Sequence, residues 1–300
     1  MFDCVGIGIC AVDYICLLSH YPVLDEKLDA QQFSFQGGGP IPTALVTLAR
    51  LGAKTAYLGI VGHDDNGKFV LKQLEQEEVD ISAVIVDKNC ATNQAFIWID
   101  NKSGKKTIVL NKNSAAAPLM PNEISVTHIK STKFLHIDGR ETEATITAIE
   151  MAKEAGVQVV LDAGSPRKEL NKILSMVDYP VVSESFCKSY LSTTSYENAL
   201  EKLMDNGARA AVITCGAKGC YGADENGILF QPSFEVDVID TTGAGDVFHG
   251  AFIYGLIQNW ELAKNLEFSS AAAAINCTYL GGRAGIPGLK KVNQFLEERK

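Results

Sequence analysis

Apolar positions along the chain follow two alternating rhythms. Short runs dense in β-branched residues, CVGIGICAV at 4–12, TAYLGIVG at 55–62, KFLHID at 133–138, VQVVLDA at 157–163, YPVVS at 179–183 and AAVITCG at 210–216, read as strands. Stretches with apolar residues three and four apart, at 41–51, 68–77, about 143–155 and 197–206, read as helices, and another helix should follow position 246. Strand and helix in turn predict an α/β fold, a layered sheet covered by helices. No Pro/Gly/Ser-rich linker and no internal repeat interrupts the pattern, so 1–300 is expected to form one domain. Two stretches break the rhythm, at about 14–36 and 92–112. In the second, FIWID and KKTIVL flank the turn-prone NKSG and predict a hairpin. Such segments would form a small separate sheet, a lid over the carboxyl ends of the main strands that excludes water.

Composition narrows the partners. A chain of 300 residues with 46% hydrophobic content can bury a large core. Its net charge of -9 and pI near 5.1, with no dense basic run, argue against nucleic acid and for a small-molecule ligand. Eight cysteines scattered among apolar residues, without a CxxC pair, suit buried thiols in a reducing compartment. The first residues lack the positive charge of a signal peptide and no stretch is long and apolar enough for a membrane span, so a cytoplasmic protein is expected.

The densest chemical signal is DTTGAGD at 240–246. Gly243 and Gly245 bracket Ala244, so the backbone can turn tightly and aim successive N–H groups at one spot. The apolar spacing after it places that turn at a helix N-terminus, which favours an anion. Asp246 then lies in the first helical turn, placed to take a proton from an attacking hydroxyl; the bland alternative is a helix cap. A second small-residue turn, TCGAKGC, places Thr214, Gly216 and Gly219 after a strand, where backbone can approach a nucleotide or simply form a β-turn. Two other glycine patterns are decoys. GHDDNGK at 62–68 has Walker spacing, but Phe69 stands where Ser or Thr should hold magnesium, and two aspartates would repel phosphate. Gly6, Gly8 and Ala11 mimic a dinucleotide fingerprint, yet VDYICLL after them reads as strand.

DTTGAGDVFHGAF, together with GGGPIPTALVTLARLG and YLGIVGHDDNGKF, resembles the two signatures of the PfkB/ribokinase family of carbohydrate kinases, along essentially the whole chain. The resemblance implies an αβα sandwich with a β lid, ATP and Mg2+, and transfer to a hydroxyl of a sugar. It implies Asp246 as the base, Thr242 with Gly243, Ala244 and Gly245 as the anion hole, and Thr214, Gly216, Gly219 and Asn276 on the nucleotide side. Asp13, Gly37 and Gly38 match substrate positions, and Asp240 and Thr242 fall where potassium-activated members bind K+. Two departures stand out. Gly39 and Pro42 replace the asparagines that hold ribose-like substrates, and the Asn-x-x-Glu magnesium motif reads SESF at 183–186, leaving Glu184 as its substitute.

The GGGPxxTA pattern and the GGRAGIP segment at 281–287 look most like the branch that includes sulfofructose kinase, whose substrate is a ketose with a sulfonate end. There Lys27, Asn111 and Arg140 match positions that grip the anion, although the first could be a solvated lid residue and the last a surface ion-pair partner. A furanose-form ketose is the expected acceptor. A nucleoside kinase and a non-catalytic sugar sensor are the alternatives, and exposed lid edges suggest a homodimer through the lid.

Overall fold

The structure, a computed structural model, describes residues 1–111, 118–140, 142–164 and 169–299. From the N-terminus, β1 (Phe2–Ile7), β2 (Ala11–Leu18) and β3 (Gln32–Gly38) lead into α1 (Pro40–Arg50). Then come β4 (Thr55–Leu58), β5 (Ile60–Gly62), α2 (Asp65–Gln76), β6 (Val79–Asp80), β7 (Ile85–Asp87) and the hairpin β8 (Asn93–Asp100) and β9 (Lys106–Asn111). The middle of the chain carries α3 (Val126–Lys130), β10 (Thr132–Ile137), α4 (Thr142–Glu154), β11 (Gln158–Ala163) and α5 (Leu170–Leu174). It continues with β12 (Tyr179–Ser183), α6 (Glu184–Ser189), α7 (Tyr196–Met204), β13 (Ala211–Thr214), β14 (Cys220–Asp224) and β15 (Gly227–Gln231). Three helices close it: α8 (Ala244–Ile257), α9 (Leu262–Asn276) and α10 (Leu289–Glu297).

Nine strands form the main sheet in the order β15-β14-β13-β12-β11-β10-β1-β4-β6. All pairs from β13 to β6 are parallel, and the terminal hairpin is antiparallel. Successive residues of a strand feed opposite faces. In β1, Cys4 joins a core built with α1, α8 and α9, whereas Val5 and Ile7 join one built with α4 and α7. The result is a three-layer αβα sandwich with the sheet buried on both sides.

α8 is apolar all round and buried without a break from Val247 to Gly255, which is how a helix reads when it lies inside a protein. Its glycines set the spacing. A Cβ on Gly250 would lie 2.5 Å from the Ala44 carbonyl of α1, and one on Gly255 would lie 2.1 Å from the Asn265 amide of α9. The helix that begins at Ala244 is therefore clamped between two others.

A second sheet, β3-β2-β8-β9, forms the lid, with β2 and β8 parallel and the outer pairs antiparallel. Its inner face carries Ile15, Leu17, Ala95, Ile97 and Ile99, packed on Leu280. Its outer face carries Tyr14, Phe35 and Phe96, with Tyr14 and Phe96 stacked at 5.1 Å. Of the lid range expected at 92–112, position 112 lies outside the described residues.

Two expected strands are each divided. CVGIGICAV ends in the main sheet at Ile7 and resumes at Ala11 in the lid, three residues before the expected lid boundary. Between them, Ile9 N donates to Asp138 Oδ2 at 3.0 Å instead of to a neighbouring strand, which interrupts the ladder. TAYLGIVG likewise splits at Gly59: β4 stays in the main sheet and β5 pairs with β7 in a two-stranded ribbon. The helix expected at 68–77 starts earlier, because Asp64 caps it by accepting from Gly67 N at 2.7 Å. Among the described residues no helix is long and apolar enough to cross a membrane.

Candidate active site

The glycine turn before α8 is held from beneath. Asp240 is fully buried; its Oδ1 accepts from Thr242 N and its Oδ2 from Gly281 N, both at 2.8 Å. Gly243 is the N-cap of α8 in the left-handed region, φ 73°, and a Cβ there would meet the Gly282 backbone at 2.6 Å. A Cβ on Gly245, by contrast, would meet nothing within 4 Å. The first-turn N–H groups of α8, which have no intrahelical partner, therefore border open space, a place that suits an anion. Asp246 lies in that first turn and lines the same space; it does not cap the helix, whose N-cap makes no side-chain hydrogen bond.

That space is a cavity of about 340 Å³. Thr242, Gly243, Gly245 and Asp246 line it from the main domain, with Ile9, Asp13 and Gly39 beside them. The lid contributes Ala95, Ile97, Ile108, Leu110 and Lys106, while Asn111 and Arg140 complete the wall. Asp13 is buried so tightly on the glycine turn that a Cβ on Gly38 would lie 2.3 Å from its carboxylate oxygens. Loss of water pushes the Asp13 carboxyl up to about 7, against the pull of Arg283 and with the push of Asp246. Burial also raises Asp246 well above the usual carboxylate range; Asp162 adds to this, and His249, Lys106 and Arg283 oppose it. A base with a raised value is matched to proton abstraction near neutrality.

The remaining expected residues are not all brought to this cavity. Gly37 is buried behind it, its N–H donating to Gln73 Oε1 at 2.6 Å. Lys27 is exposed on the loop between β2 and β3 and does not line the cavity. Arg140 lines it and also pairs with Asp138, Nε to Oδ2 3.8 Å, while Asn111 donates to Gln94 Oε1 at 3.3 Å. Expected beside the nucleotide, Asn276 is instead fully buried and braces the anion turn, its Nδ2 donating at 3.3 Å to the carbonyls of Thr242 and Gly282.

Thr214, Gly216 and Gly219 form the turn after β13. Thr214 Oγ1 donates to the Val182 carbonyl at 3.3 Å, and Gly216 has φ 58° with open space around it. Gly219, φ 106°, is a tight turn whose Cβ would strike the Gln231 carbonyl at 2.1 Å. Glu184 meets this turn through Lys218, 2.9 Å from its Oε1. The Tyr196 phenol, Lys218 and Lys188 together hold its carboxyl down at about 2. Among the described residues no group of three or more His, Cys, Asp or Glu is placed to hold a metal. The Walker-like sequence has no room for phosphate: Asp64 fills the start of α2, accepting from Thr92 N at 2.9 Å and Thr92 Oγ1 at 2.7 Å.

Three residues of the site escape sequence reasoning. Lys106, on the inner face of β9, brings an ammonium toward Asp240, Asp246 and Asp13, and burial lowers its value. Arg283 lies buried under the Gly37–Gly39 turn, donating to Gly38 O at 2.9 Å and Thr43 Oγ1 at 3.2 Å. Asp138 ties β10 to the loop after β1 by accepting from Ile9 N and Arg140 N, both at 3.0 Å. One of three lysines in the hairpin 93–111 and an arginine after two glycines carry no local signal of burial; only period-2 alternation in KTIVL, which puts Lys106 on the face of Ile108 and Leu110, could have found the first.

An anion turn on a clamped helix, an acid in its first turn and a lid over both define a phosphotransferase acting on a small alcohol. The model of the pfkB family carbohydrate kinases matches residues 1–288, and the chain belongs to that family. It is 28% identical to a 5-dehydro-2-deoxygluconokinase of Geobacillus kaustophilus, covering 99% of this chain and 94% of that one. It is 28% identical to a ribokinase of Haemophilus influenzae over 97% of both. The structure of Arabidopsis thaliana ribokinase complexed with ribose and ATP superimposes with a TM-score of 0.84 over 99% of each chain, at 23% identity. The fold is ribokinase-like and the protein is a sugar kinase.

Proposed function

We propose that this kinase transfers the γ-phosphoryl of ATP to a hydroxyl of a furanose-form ketose that carries an anionic group such as a sulfonate. The observation that carries the reading is that Asp246, Asp13 and Arg140 line one cavity. Asp246 takes the proton of the attacking hydroxyl, and Asp13 accepts from a second hydroxyl and fixes the sugar's orientation. The N–H groups at Gly243–Gly245 and the Lys106 ammonium hold the charge that spreads over the transferring group. Thr214, Gly216 and Gly219 take the nucleotide, a reading supported by the open space and left-handed backbone at Gly216. Mg2+ bound with ATP would neutralise phosphate charge. Contacts of Glu184 with Tyr196, Lys188 and Lys218 all fall on Oε1, which leaves Oε2 to accept from a metal-bound water. Thr242 Oγ1 and Asn276 Oδ1 are buried oxygens without a partner beside Asp240, a donor set that suits K+.

A nucleoside acceptor fits less well, since a base needs an aromatic wall and the inner lid face is aliphatic while the aromatics lie outside. A sensor would not need a base in place. The lid's outer aromatic face is assigned to a second copy of the chain. ATP consumption measured over ketoses, sulfonated ketoses, phosphosugars and nucleosides tests the acceptor. Arg140→Ala should cost roughly ten- to a hundredfold in kcat/KM on the anionic ketose and nearly nothing on a neutral one. Preference for the neutral sugar, or equal loss on both, removes the anionic group from the reading.

A further inference from the structure

His249 lies one turn beyond Asp246 on α8, buried, and both of its ring nitrogens face oxygen atoms that can only accept. Nδ1 is 2.6 Å from the carbonyl oxygen of Gly245, and Nε2 is 3.3 Å from that of Val181. Asp162 Oδ1 lies 3.7 Å from the same Nε2. A neutral imidazole has one N–H and one lone pair, so either tautomer would aim a lone pair at oxygen in a dry setting. The doubly protonated ring donates on both sides.

We propose that His249 is a buried imidazolium, a positioning residue that ties Asp162 and β12 to the first turn of α8 and supplies the positive charge that keeps Asp246 ionised. The inference rests on Asp246 being the base. The groups around the ring are few and named. On α8 stands Asp246; from β11 comes Asp162; from β10 comes His136, stacked at 5.6 Å. Farther out, Lys106 of the lid and Arg283 of the C-terminal loop act on Asp246. His136 cannot share the charge, because burial and the neighbouring His249 push it down to about 3. Two carboxylates would otherwise share a low-dielectric pocket in which, among the described residues, Lys106 of the lid and Arg283 of the loop are the other cations acting on Asp246, and repulsion between the carboxylates would favour a protonated, inactive base. The charge on His249 opposes both desolvation and Asp162 at Asp246.

Two measurements test it on the full chain. In the first, the ¹⁵N spectrum of the histidine rings at neutral pH, assigned with His249→Gln, should show both His249 nitrogens protonated; a neutral tautomer overturns the proposal. Since that spectrum needs no turnover, it stays decisive even if no sugar proves to be a substrate, a result that would instead overturn the kinase reading of the acceptor. In the second, the acid limb of kcat/KM should move up by about one pH unit in His249→Gln and down in Asp162→Asn. Equal directions, or a fall in rate with the limb unmoved in both variants, would reduce His249 to a packing residue. If His249→Gln does not fold, the wild-type spectrum, assigned by the i−4 contact to Gly245, and Asp162→Asn still decide.

Discussion

Asp246 and Asp13 are both carboxyls deprived of water, yet the loss has different consequences. For Asp246 the raised value is a property of the reaction: activity should fall as pH drops through it, above the range where an exposed aspartate titrates. Asp246→Asn should keep the fold, since the residue makes no cap, and should slow turnover by roughly 10²- to 10⁴-fold, as steady-state rates and circular dichroism would show. Near-normal turnover would remove Asp246 as the base. For Asp13 the raised value is also a cost to stability. Its folded value, about 7, lies above the unfolded one near 4, so between those values the folded chain holds the extra proton, and stability declines as pH rises through the window. Asp13→Asn should therefore raise Tm at pH 8 and change it little at pH 4, while losing sugar affinity. A Tm gain that is the same at both pH values would show that Asp13 is ionised in the folded protein throughout.

At the scale of elements, the two glycine turns that resemble nucleotide loops are separated by what fills them. Around Gly216 there is open space and a left-handed backbone, so Gly216→Val is both strained and intrusive. It should raise the KM for ATP severalfold or more. Lys68 points to solvent, 3.1 Å from Asp65 on the first turn of α2, so Lys68→Ala should leave kcat nearly intact. A collapse of turnover in Lys68→Ala would reverse the assignment of the two turns. Local signals made much of this legible. DTTGAGD is contiguous, so its turn, its helix and its acid can be read together, and the helix at 197–206 declares itself because it buries one face, Ala199, Leu200 and Leu203. What could not be read depends on partners far along the chain. The first strand breaks where Ile9 N turns to the Asp138 carboxylate, and Gly59 is held to glycine by the Tyr57 phenol, which is bonded to Gly8 O at 2.8 Å and occupies the space of a side chain. Lys106, Arg283 and His249 are likewise distinguished by burial, which a single polar letter in a mixed segment does not announce.

At the scale of the molecule, the lid has two faces with opposite chemistry on the same strands. Inward lie Asp13, Ile97 and Lys106; outward lie Phe33, Phe35, Phe96, Trp98 and Val109, with Phe33 left 62% exposed. Contiguous exposed aromatics on a sheet mark an interaction surface, and a twofold pairing, the proposed occupant, would shield this one on both chains at once. The full chain should therefore run as a dimer in light scattering at micromolar concentration, and Phe33→Glu with Trp98→Glu should convert it to a monomer. Because Phe96, Trp98 and Val109 alternate along β8 and β9 with Ala95, Ile97, Ile108 and Leu110, which line the cavity, a lid freed from its partner should hold the sugar less firmly. The double variant should thus show a higher KM for the sugar with the KM for ATP nearly unchanged, as the turn proposed for the nucleotide belongs to the main sheet. A monomeric wild type would end the assignment of this face to a second copy, and a monomeric variant with unaltered sugar KM would show that pairing does nothing for the closure of the site.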